Sequence, residues 1–401
     1  MMILNNSRLY RKIDPELLKP MRSMSDKNAT VILYARENCR CKEKLDNMGI
    51  CVKYELPIIQ GYCLEIPYGK ISQLASLKQV EYIAADVTVK TQMNIASQEV
   101  GSNIVFNSGY KGKGISIAFI DTGIYPHADF IRPQGRIKAF KDFVSDRDTA
   151  YDDNGHGSFV AGVAAGSGYQ SNGKYKGIAP EADIIMLKAL DNGGGGGSSD
   201  ILAAMQWVLD NYEKCNIRIL SLSLGSNSTR SSLDALARGA EALWVKGIVV
   251  VAAAGNSGPN SNTITTPGVS GKIITVGAIN DKRTANISDD EIANFSSRGP
   301  VGKKIKPDIV APGVNITSVN SDTNYTGTNW VRSLSSSYTT MSGTSVSTPL
   351  VAGAAALLLQ KNPEWTPEQI KKAIMNNAIQ ITKDENVEGK GIINIKMSMQ
   401  L

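Results

Sequence analysis

The chain has 401 residues, of which 42% are apolar, and it carries 43 Lys and Arg against 37 Asp and Glu. This length exceeds that of one ordinary domain, and the apolar content is sufficient for a large core. The net charge of +6 is a mild excess without a long block of like charges, which argues against a nucleic-acid-binding surface.

Residues 1–96 predict a small domain in which strands and helices alternate. Their predicted order, β-α-β-β-α-β, is the split arrangement of ferredoxin-like α+β domains. The segments are Thr30–Tyr34, Cys39–Met48, Cys51–Leu56, 59–66, Ile71–Leu77 and Val80–Ala84. A linker at about 85–96 follows, and residues 97–401 form the second predicted domain.

The N-terminus and the cysteines predict a cytoplasmic location. The first 20 residues lack the cationic start, long apolar stretch and cleavage site of a secretory signal peptide, and no apolar run reaches the roughly 20 residues of a membrane span. The cysteines are odd in number and only Cys215 lies outside the first domain, so reduced thiols explain them better than disulfides. The pair Cys39 and Cys41 has no neighbouring His and is a weak metal motif. The roles of these two and of Cys51 and Cys63 stay open.

A candidate carboxylate follows the first strand of the second domain. The apolar run Ile115–Ile120 predicts a central strand that ends at Asp121, and Thr122-Gly123 then turns the chain. The carboxyl ends of strands are where open α/β sheets build their sites. Considered alone, Asp121 is equally well explained as a turn residue.

The chain contains two histidines, His127 and His156. His156 lies between two glycines and directly precedes a small-residue apolar helix, so another backbone segment can approach its imidazole. His127 follows a proline in a turn and is better explained as a surface or packing residue. His156 is therefore the candidate base.

Ser345 precedes a long apolar stretch, residues 351–360, which predicts a helix buried on all sides. The first N–H groups of such a helix favour negative charge beside Ser345, and Pro349 is expected in its first turn. A lone serine at this place is most simply a helix cap. A base and a carboxylate elsewhere in the chain make it a candidate nucleophile instead.

The segments around these residues resemble the subtilisin-like serine proteases. AFIDTGI contains Asp121, NGHGSFVAG contains His156, SGTSVSTPLVAG contains Ser345, and all three resemble signature blocks of that family. The order Asp-His-Ser is also that of subtilisin. A fourth block, VVVAAAGN, ends at Asn256, and the resemblance covers roughly residues 100–380.

This resemblance implies a fold, a catalytic mechanism and a substrate cleft. The fold would be α/β, with a mostly parallel central sheet between two helix layers, and the chain would be a serine endopeptidase. The Asn256 amide and the Ser345 N–H would stabilise the oxyanion. A substrate peptide would lie as an added strand between two walls, which predicts broad specificity. One wall comprises Gly194, Gly195 and Gly196, and the other Ser223, Leu224 and Gly225.

The primary specificity pocket implied by the same resemblance is neutral and has small walls. It would be lined by Ala252, Ala253, Ala254, Gly255 and Thr265, with Ser257 and Pro267 nearby, and it would accept apolar side chains.

Residues 1–96 resemble the inhibitory propeptide of this family, which implies a zymogen that cleaves itself within the linker. The alternative is a permanent accessory domain. Catalysis would need no cofactor and no metal. The loop 166–176 has no carboxylate and two lysines, so the family's usual high-affinity calcium site is predicted to be missing there. A weaker structural calcium site, for example among Asp281, Asp289 and Asp290, stays open.

Other partners would be peptide or protein substrates, not nucleic acid or membranes. The rival hypothesis is a non-catalytic pseudoprotease that binds peptides. A narrow processing protease is a further option within the enzyme class.

Overall fold

The structure is a computed structural model in which the chain divides into two units, Met1–Val89 and Lys90–Leu401. It describes residues 10–35, 42–56, 61–85, 102–226, 235–284, 286–327 and 336–400. Apart from Ala85, the predicted linker at 85–96 lies outside the described residues, as do Cys39 and Cys41.

The first unit contains a four-stranded antiparallel sheet of order β2-β3-β1-β4. Its strands are β1 (Asn28–Ala35), β2 (Cys51–Leu56), β3 (Gly61–Pro67) and β4 (Val80–Ala85), and its helices are α1 (Pro15–Ser23), α2 (Lys42–Asn47) and α3 (Ile71–Ser76). From β1 to β4 these elements follow the β-α-β-β-α-β order expected from the sequence; α1 was not expected.

The core of this unit follows from the side-chain period of its elements. Every second residue of a strand points to the same face, and Val31 and Leu33 of β1 are buried in this way, as are Leu64 and Ile66 of β3. The buried residues of α3 complete this core. Helices therefore cover one face of this sheet.

The second unit is built on an eight-stranded sheet of order β11-β10-β9-β8-β5-β7-β6, to which β12 adds beside β10. All of its strand pairs are parallel except β10 with β11. The strands are β5 (Ser116–Asp121), β6 (Ile137–Asp142), β7 (Asp183–Lys188), β8 (Ile217–Leu222), β9 (Val249–Ala253), β10 (Ile274–Asn280), β11 (Glu291–Ile292) and β12 (Ile309–Pro312). A separate ribbon pairs β13 (Ile316–Val319) with β14 (Tyr338–Met341).

Two sets of helices pack against this sheet. Helix α6 packs on α9, and α9 also contacts β8, β9 and β10, whereas α7 packs on α8 and against β5. The helices of the unit are α4 (Ser102–Asn107), α5 (Ala128–Ile131), α6 (His156–Ala165), α7 (Ser198–Asn211), α8 (Ala235–Val245), α9 (Thr344–Lys361), α10 (Pro367–Asn376), α11 (Glu385–Glu388) and α12 (Ile395–Met399). The prediction of a mostly parallel α/β sheet flanked by helices is confirmed.

Helix α9 is buried on nearly all sides, as its apolar stretch from Val351 onward predicts. Its residues from Val346 to Leu359 are buried. No helix in the described part of the chain is long and apolar enough to cross a membrane.

Candidate active site

Three elements of the second unit bring the predicted catalytic residues together. Asp121 is the last residue of β5, His156 is the first residue of α6, and Ser345 is the second residue of α9. His156 and Ser345 line one cleft. The sequence places each residue at an end of an element, and the fold places those ends side by side.

Asp121 and His156 form a direct pair. His156 Nδ1 lies 2.8 Å from Asp121 Oδ1, and the carboxylate is 1% exposed while the imidazole is 25% exposed. Since an ionised carboxylate only accepts, Nδ1 carries the proton and Nε2 remains for the cleft. Burial disfavours the charged imidazole, but the charge of Asp121 and the hydrogen bond to it outweigh burial and raise the pKa of His156 above 6.5.

Two glycines allow this pair to form. A Cβ on Gly157 would lie 2.9 Å from Gly123 N and still closer to the Gly123 carbonyl oxygen. The start of α6 therefore touches the turn that follows β5 with no room for a side chain. Thr122 adds a bond across the contact, because its Oγ1 accepts from Gly157 N at 2.8 Å.

Asp152 holds the turn before α6, and sequence reasoning missed this role. The residue is fully buried, and burial raises its pKa against the opposing effect of its hydrogen bonds. Its carboxylate accepts from Thr122 Oγ1 at 2.9 Å, from Gly155 N at 2.8 Å and from Ser158 N and Oγ at 2.8 and 2.7 Å. The signal was present in the sequence, since an Asp just ahead of a helix is a typical acceptor for the first free N–H groups.

Lys188 is a second residue that sequence reasoning missed. Its ammonium group is fully buried and donates to the Thr122 carbonyl at 2.6 Å, the Leu190 carbonyl at 2.9 Å and Asp153 Oδ1 at 2.7 Å. These bonds use all three of its donors. Lys188 thus holds the turn after Asp121 in place. Nothing in the local sequence indicates this role.

The structure corrects the predicted position of Pro349. It is the sixth residue of α9, not a first-turn residue, so its missing N–H leaves the Ser345 carbonyl without its helical donor. The Ser223 hydroxyl donates to that carbonyl at 2.8 Å instead. Ser223 therefore supports the backbone at Ser345 as well as lining the cleft.

Asn256 is held with its amide nitrogen toward Ser345, the candidate nucleophile. Its Oδ1 accepts from Thr344 N at 2.9 Å and from Thr344 Oγ1 at 3.0 Å. A Cβ built on Gly343 would lie 3.5 Å from Asn256 Nδ2 and 3.0 Å from Ser345 Oγ, so both atoms border the same small space. Sequence reasoning identified Asn256 but not Thr344.

The cleft around the pair encloses about 480 Å³. The residues predicted for its two walls all line it, namely Gly194, Gly195, Gly196, Ser223, Leu224 and Gly225. Asn154, Leu190, Ile201 and Leu236 also line it, and sequence reasoning did not include them.

The glycine-rich wall begins with a hydrogen-bonded turn from Asp191 to Gly195. Asp191 Oδ1 accepts from Gly193 N at 2.9 Å and from Gly195 N at 3.0 Å, and Asp191 N donates to the Gly195 carbonyl at 2.7 Å. Gly194 has φ +79°, a conformation that favours glycine. Asp191 thus gives order to a segment that has no side chains of its own.

A side pocket of about 290 Å³ opens beside Ser345 and Asn256. Of the predicted pocket residues, Ala253, Gly255, Ser257 and Thr265 line it, and no charged residue does. Ala252 and Ala254 are fully buried and Pro267 is not among the lining residues, which corrects the prediction of a continuous alanine wall. Side chains alternate along β9, so neighbours cannot all face the pocket.

His127, the histidine not chosen as base, is buried beside Asp129 and caps α5 by accepting from Asp129 N at 3.1 Å. The Asp129 carboxylate accepts from Gly168 N and Gln170 N, both at 3.0 Å, and from the Tyr338 hydroxyl at 2.9 Å. Within the described ranges, no three His, Cys, Asp or Glu side chains gather as a metal site.

A buried carboxylate–imidazole pair beside a helix-borne serine, on a parallel α/β sheet, is the arrangement of serine hydrolases with an Asp-His-Ser order. A model of the subtilase family matches residues 112–392. The chain belongs to the subtilase family and is a serine protease.

Similar proteins support this assignment over most of the chain. It is 44% identical to "Serine protease AprX" of Bacillus subtilis (strain 168), over 83% of this chain and 77% of AprX. It is 35% identical to "Subtilisin Savinase" of Lederbergia lenta, over 72% of this chain and 91% of that protein. The solved structure of Sphericase has a TM-score of 0.61 at 29% identity and covers 73% of this chain and 97% of its own.

Proposed function

We propose that this protein hydrolyses peptide bonds with Asp121, His156 and Ser345 as its catalytic residues. His156 Nε2 removes the proton of Ser345 Oγ as that oxygen attacks the peptide carbonyl, and later returns it to the leaving amine. Asp121 holds the imidazole through Nδ1 and stabilises its positive charge. The observation that carries this proposal is the 2.8 Å contact between Asp121 Oδ1 and His156 Nδ1, together with the cleft that His156 and Ser345 both line.

Asn256 Nδ2 and the Ser345 N–H are proposed to donate to the carbonyl oxygen when it becomes negative. The support is the orientation of Asn256, whose Oδ1 is already occupied by Thr344. Donors fixed before reaction stabilise the developing charge without reorganisation.

The substrate is proposed to be an extended peptide with an apolar side chain in the pocket beside Ser345. The pocket has small, uncharged lining residues, so a charged side chain there would lose its hydration without gaining a partner. The walls on either side are mostly glycine and serine backbone, which favours broad specificity.

The first unit is proposed to be a propeptide that inhibits the protease until the chain cleaves itself in the segment that follows Ala85. Support comes from its division as a separate unit with a core of its own. A cytoplasmic location is part of the proposal, because the two cysteines whose side chains are described, Cys51 and Cys215, are free thiols.

No metal is proposed in catalysis, and no structural calcium at the loop 166–176. Calcium binds to clusters of oxygen atoms that carry negative charge. Asp129, the carboxylate beside this loop, already accepts two backbone N–H groups and a tyrosine hydroxyl. The residues present therefore fit hydrogen bonds within the protein and do not fit a calcium cage.

The test compares the full-length wild type with Ser345→Ala by intact mass, by labelling with a serine-directed phosphonate and by cleavage of a denatured protein. Wild type is expected to lose about 90 N-terminal residues, take one label and cleave; Ser345→Ala should do none of these. If wild type neither takes label nor cleaves, the protease hypothesis fails and the non-catalytic, peptide-binding alternative is favoured. If both variants lose the first unit equally, self-processing is wrong.

A further inference from the structure

A cavity of about 560 Å³ lies at the amino ends of the strands, whereas Asp121 lies at a carboxyl end. Gly114, Arg136 and Asp183 line it, and they stand at the amino ends of β5, β6 and β7. Asp121 is at the carboxyl end of β5, and a strand of this length spans roughly 20 Å. This cavity is therefore separate from the catalytic cleft.

The lining of this cavity is strongly basic. Six cationic side chains and two acidic ones line it, which leaves an excess of four positive charges in one enclosure. The cations are Lys111, Lys113, Arg132, Arg136, Lys138 and Lys176, and the acids are Glu181 and Asp183. Since the whole chain has a net charge of only +6, this concentration is local and not a reflection of overall composition.

Four of these six cations form no ion pair with an acidic side chain among the described residues. Lys111 pairs with Glu181 at 3.3 Å and Lys138 with Asp183 at 3.5 Å, and the four side chains are between 30% and 45% exposed. Exposed pairs of this kind are weak because solvent screens them, so they do not hold their lysines against a stronger anion. Lys113 and Arg132 are exposed and show no ion pair, and Lys176 lies over the Phe106 ring at 5.9 Å.

Arg136 gives the cavity a fixed charge at its base. Only 8% of the residue is exposed, and its guanidinium donates to the carbonyls of Ala182 and Asp129. Burial lowers its pKa to about 10, so it remains charged at neutral pH but its charge is poorly hydrated. An anion in the cavity would replace the missing hydration.

We propose that this cavity is a binding site for a compact anion that carries two or three linked phosphate groups. Each phosphate brings between about one and two negative charges, so such a group matches the excess of four. Arginine binds phosphate oxygens through its planar fork and lysine as a point charge. The site does not depend on the catalytic residues.

The test measures binding of inorganic tripolyphosphate to full-length Ser345→Ala by titration calorimetry at low salt. One site per chain is expected, with affinity that falls as salt is added. The variant Lys113→Gln/Arg132→Gln should bind at least tenfold more weakly; both residues are exposed, so folding is not at risk. Its control is Lys303→Gln/Lys383→Gln, which removes the same charge from exposed lysines outside the cavity and should change affinity less than twofold.

Four outcomes would overturn the proposal. No heat of binding at millimolar tripolyphosphate would exclude the site. Equal losses in the two double variants would mean diffuse attraction by surface charge. Orthophosphate binding as tightly as tripolyphosphate would contradict the linked-phosphate ligand, and tighter binding of hexaglutamate would make the site one for acidic peptides.

Discussion

The orientation of the Asn256 side chain depends on one neighbour, Thr344. Thr344 offers both its N–H and its hydroxyl to Asn256 Oδ1, and its hydroxyl also accepts from Gly255 N at 3.2 Å. An amide fixed at its oxygen presents its nitrogen in one direction only. Thr344 is thus a positioning residue for Asn256, the proposed oxyanion donor.

Thr344→Val keeps the shape of the side chain and removes its hydroxyl. We expect kcat to fall about tenfold with KM nearly unchanged, because one of two bonds to Asn256 is lost. The matched control is Thr348→Val, one helical turn further on, whose hydroxyl donates only to the Thr344 carbonyl. Steady-state kinetics on a peptide substrate measures both variants, and an equal loss in both would point to a general disturbance of α9.

The pH dependence of activity follows from the raised pKa of His156. The base must be neutral, so kcat/KM should rise with pH through the pKa of His156, at a pH above the 6.5 of an ordinary imidazole. Asp121→Asn removes the charge that raises this pKa and leaves the burial that lowers it. The rise should therefore move to lower pH in the variant, along with a large drop in rate.

The measurement is kcat/KM of the wild type and of Asp121→Asn as a function of pH between about pH 5 and 10. If kcat/KM of the variant rises at the same pH as that of the wild type, a group other than His156 controls the pH dependence.

At the scale of elements, the contact between the turn after β5 and the start of α6 determines the distance between carboxylate and imidazole. Gly123 and Gly157 touch through their backbones, and Thr122, Asp152 and Lys188 hold the surrounding turns. Errors of about 1 Å in such a pair can cost a hundredfold in rate.

Gly157→Ala inserts one methyl group into this contact. The atoms it meets belong to the Gly123 backbone, which cannot rotate away, so we expect a loss of about 1–3 kcal/mol in unfolding free energy. We also expect kcat/KM to fall at least about a hundredfold. Gly135→Ala is the control, since a Cβ there meets nothing within 4 Å. Thermal unfolding and kinetics would contradict this reasoning if the two variants behaved alike.

The sequence indicates which residues take part but not what holds them. Asp121, His156, Ser345 and Asn256 lie in short local patterns, so each could be proposed without knowing the fold. Thr344 and Lys188 act across about 88 and 66 residues, and only the folded chain brings them to their partners. The prediction that Ala252, Ala253 and Ala254 all line the pocket was wrong in part. The resemblance identifies a run of consecutive residues, whereas a strand points only every second side chain to the same face.

At the scale of the whole molecule, we propose that the hydrogen bonds accepted by Asp129 stabilise the loop 166–176 without a bound metal ion. We expect a chelator such as EGTA to change the unfolding temperature of full-length Ser345→Ala by less than about 2 °C, and added calcium to have no larger effect, because a ligand stabilises only the state that binds it. Differential scanning calorimetry measures both. A drop with chelator that calcium reverses would show that a calcium site exists, either at this loop or at a weaker site such as that considered among Asp281, Asp289 and Asp290.

Helix α9 fills the centre of the second unit against β8, β9 and β10, and it also carries Ser345. Ribosomes make β5 and α6 long before α9. A growing chain that has reached residue 340 therefore has Asp121 and His156 but neither Ser345 nor the helix that completes the core. If Ser345 is the nucleophile as proposed, the chain can cut only after the helix that completes its core has been made, so synthesis of the core and of the cutting group end together.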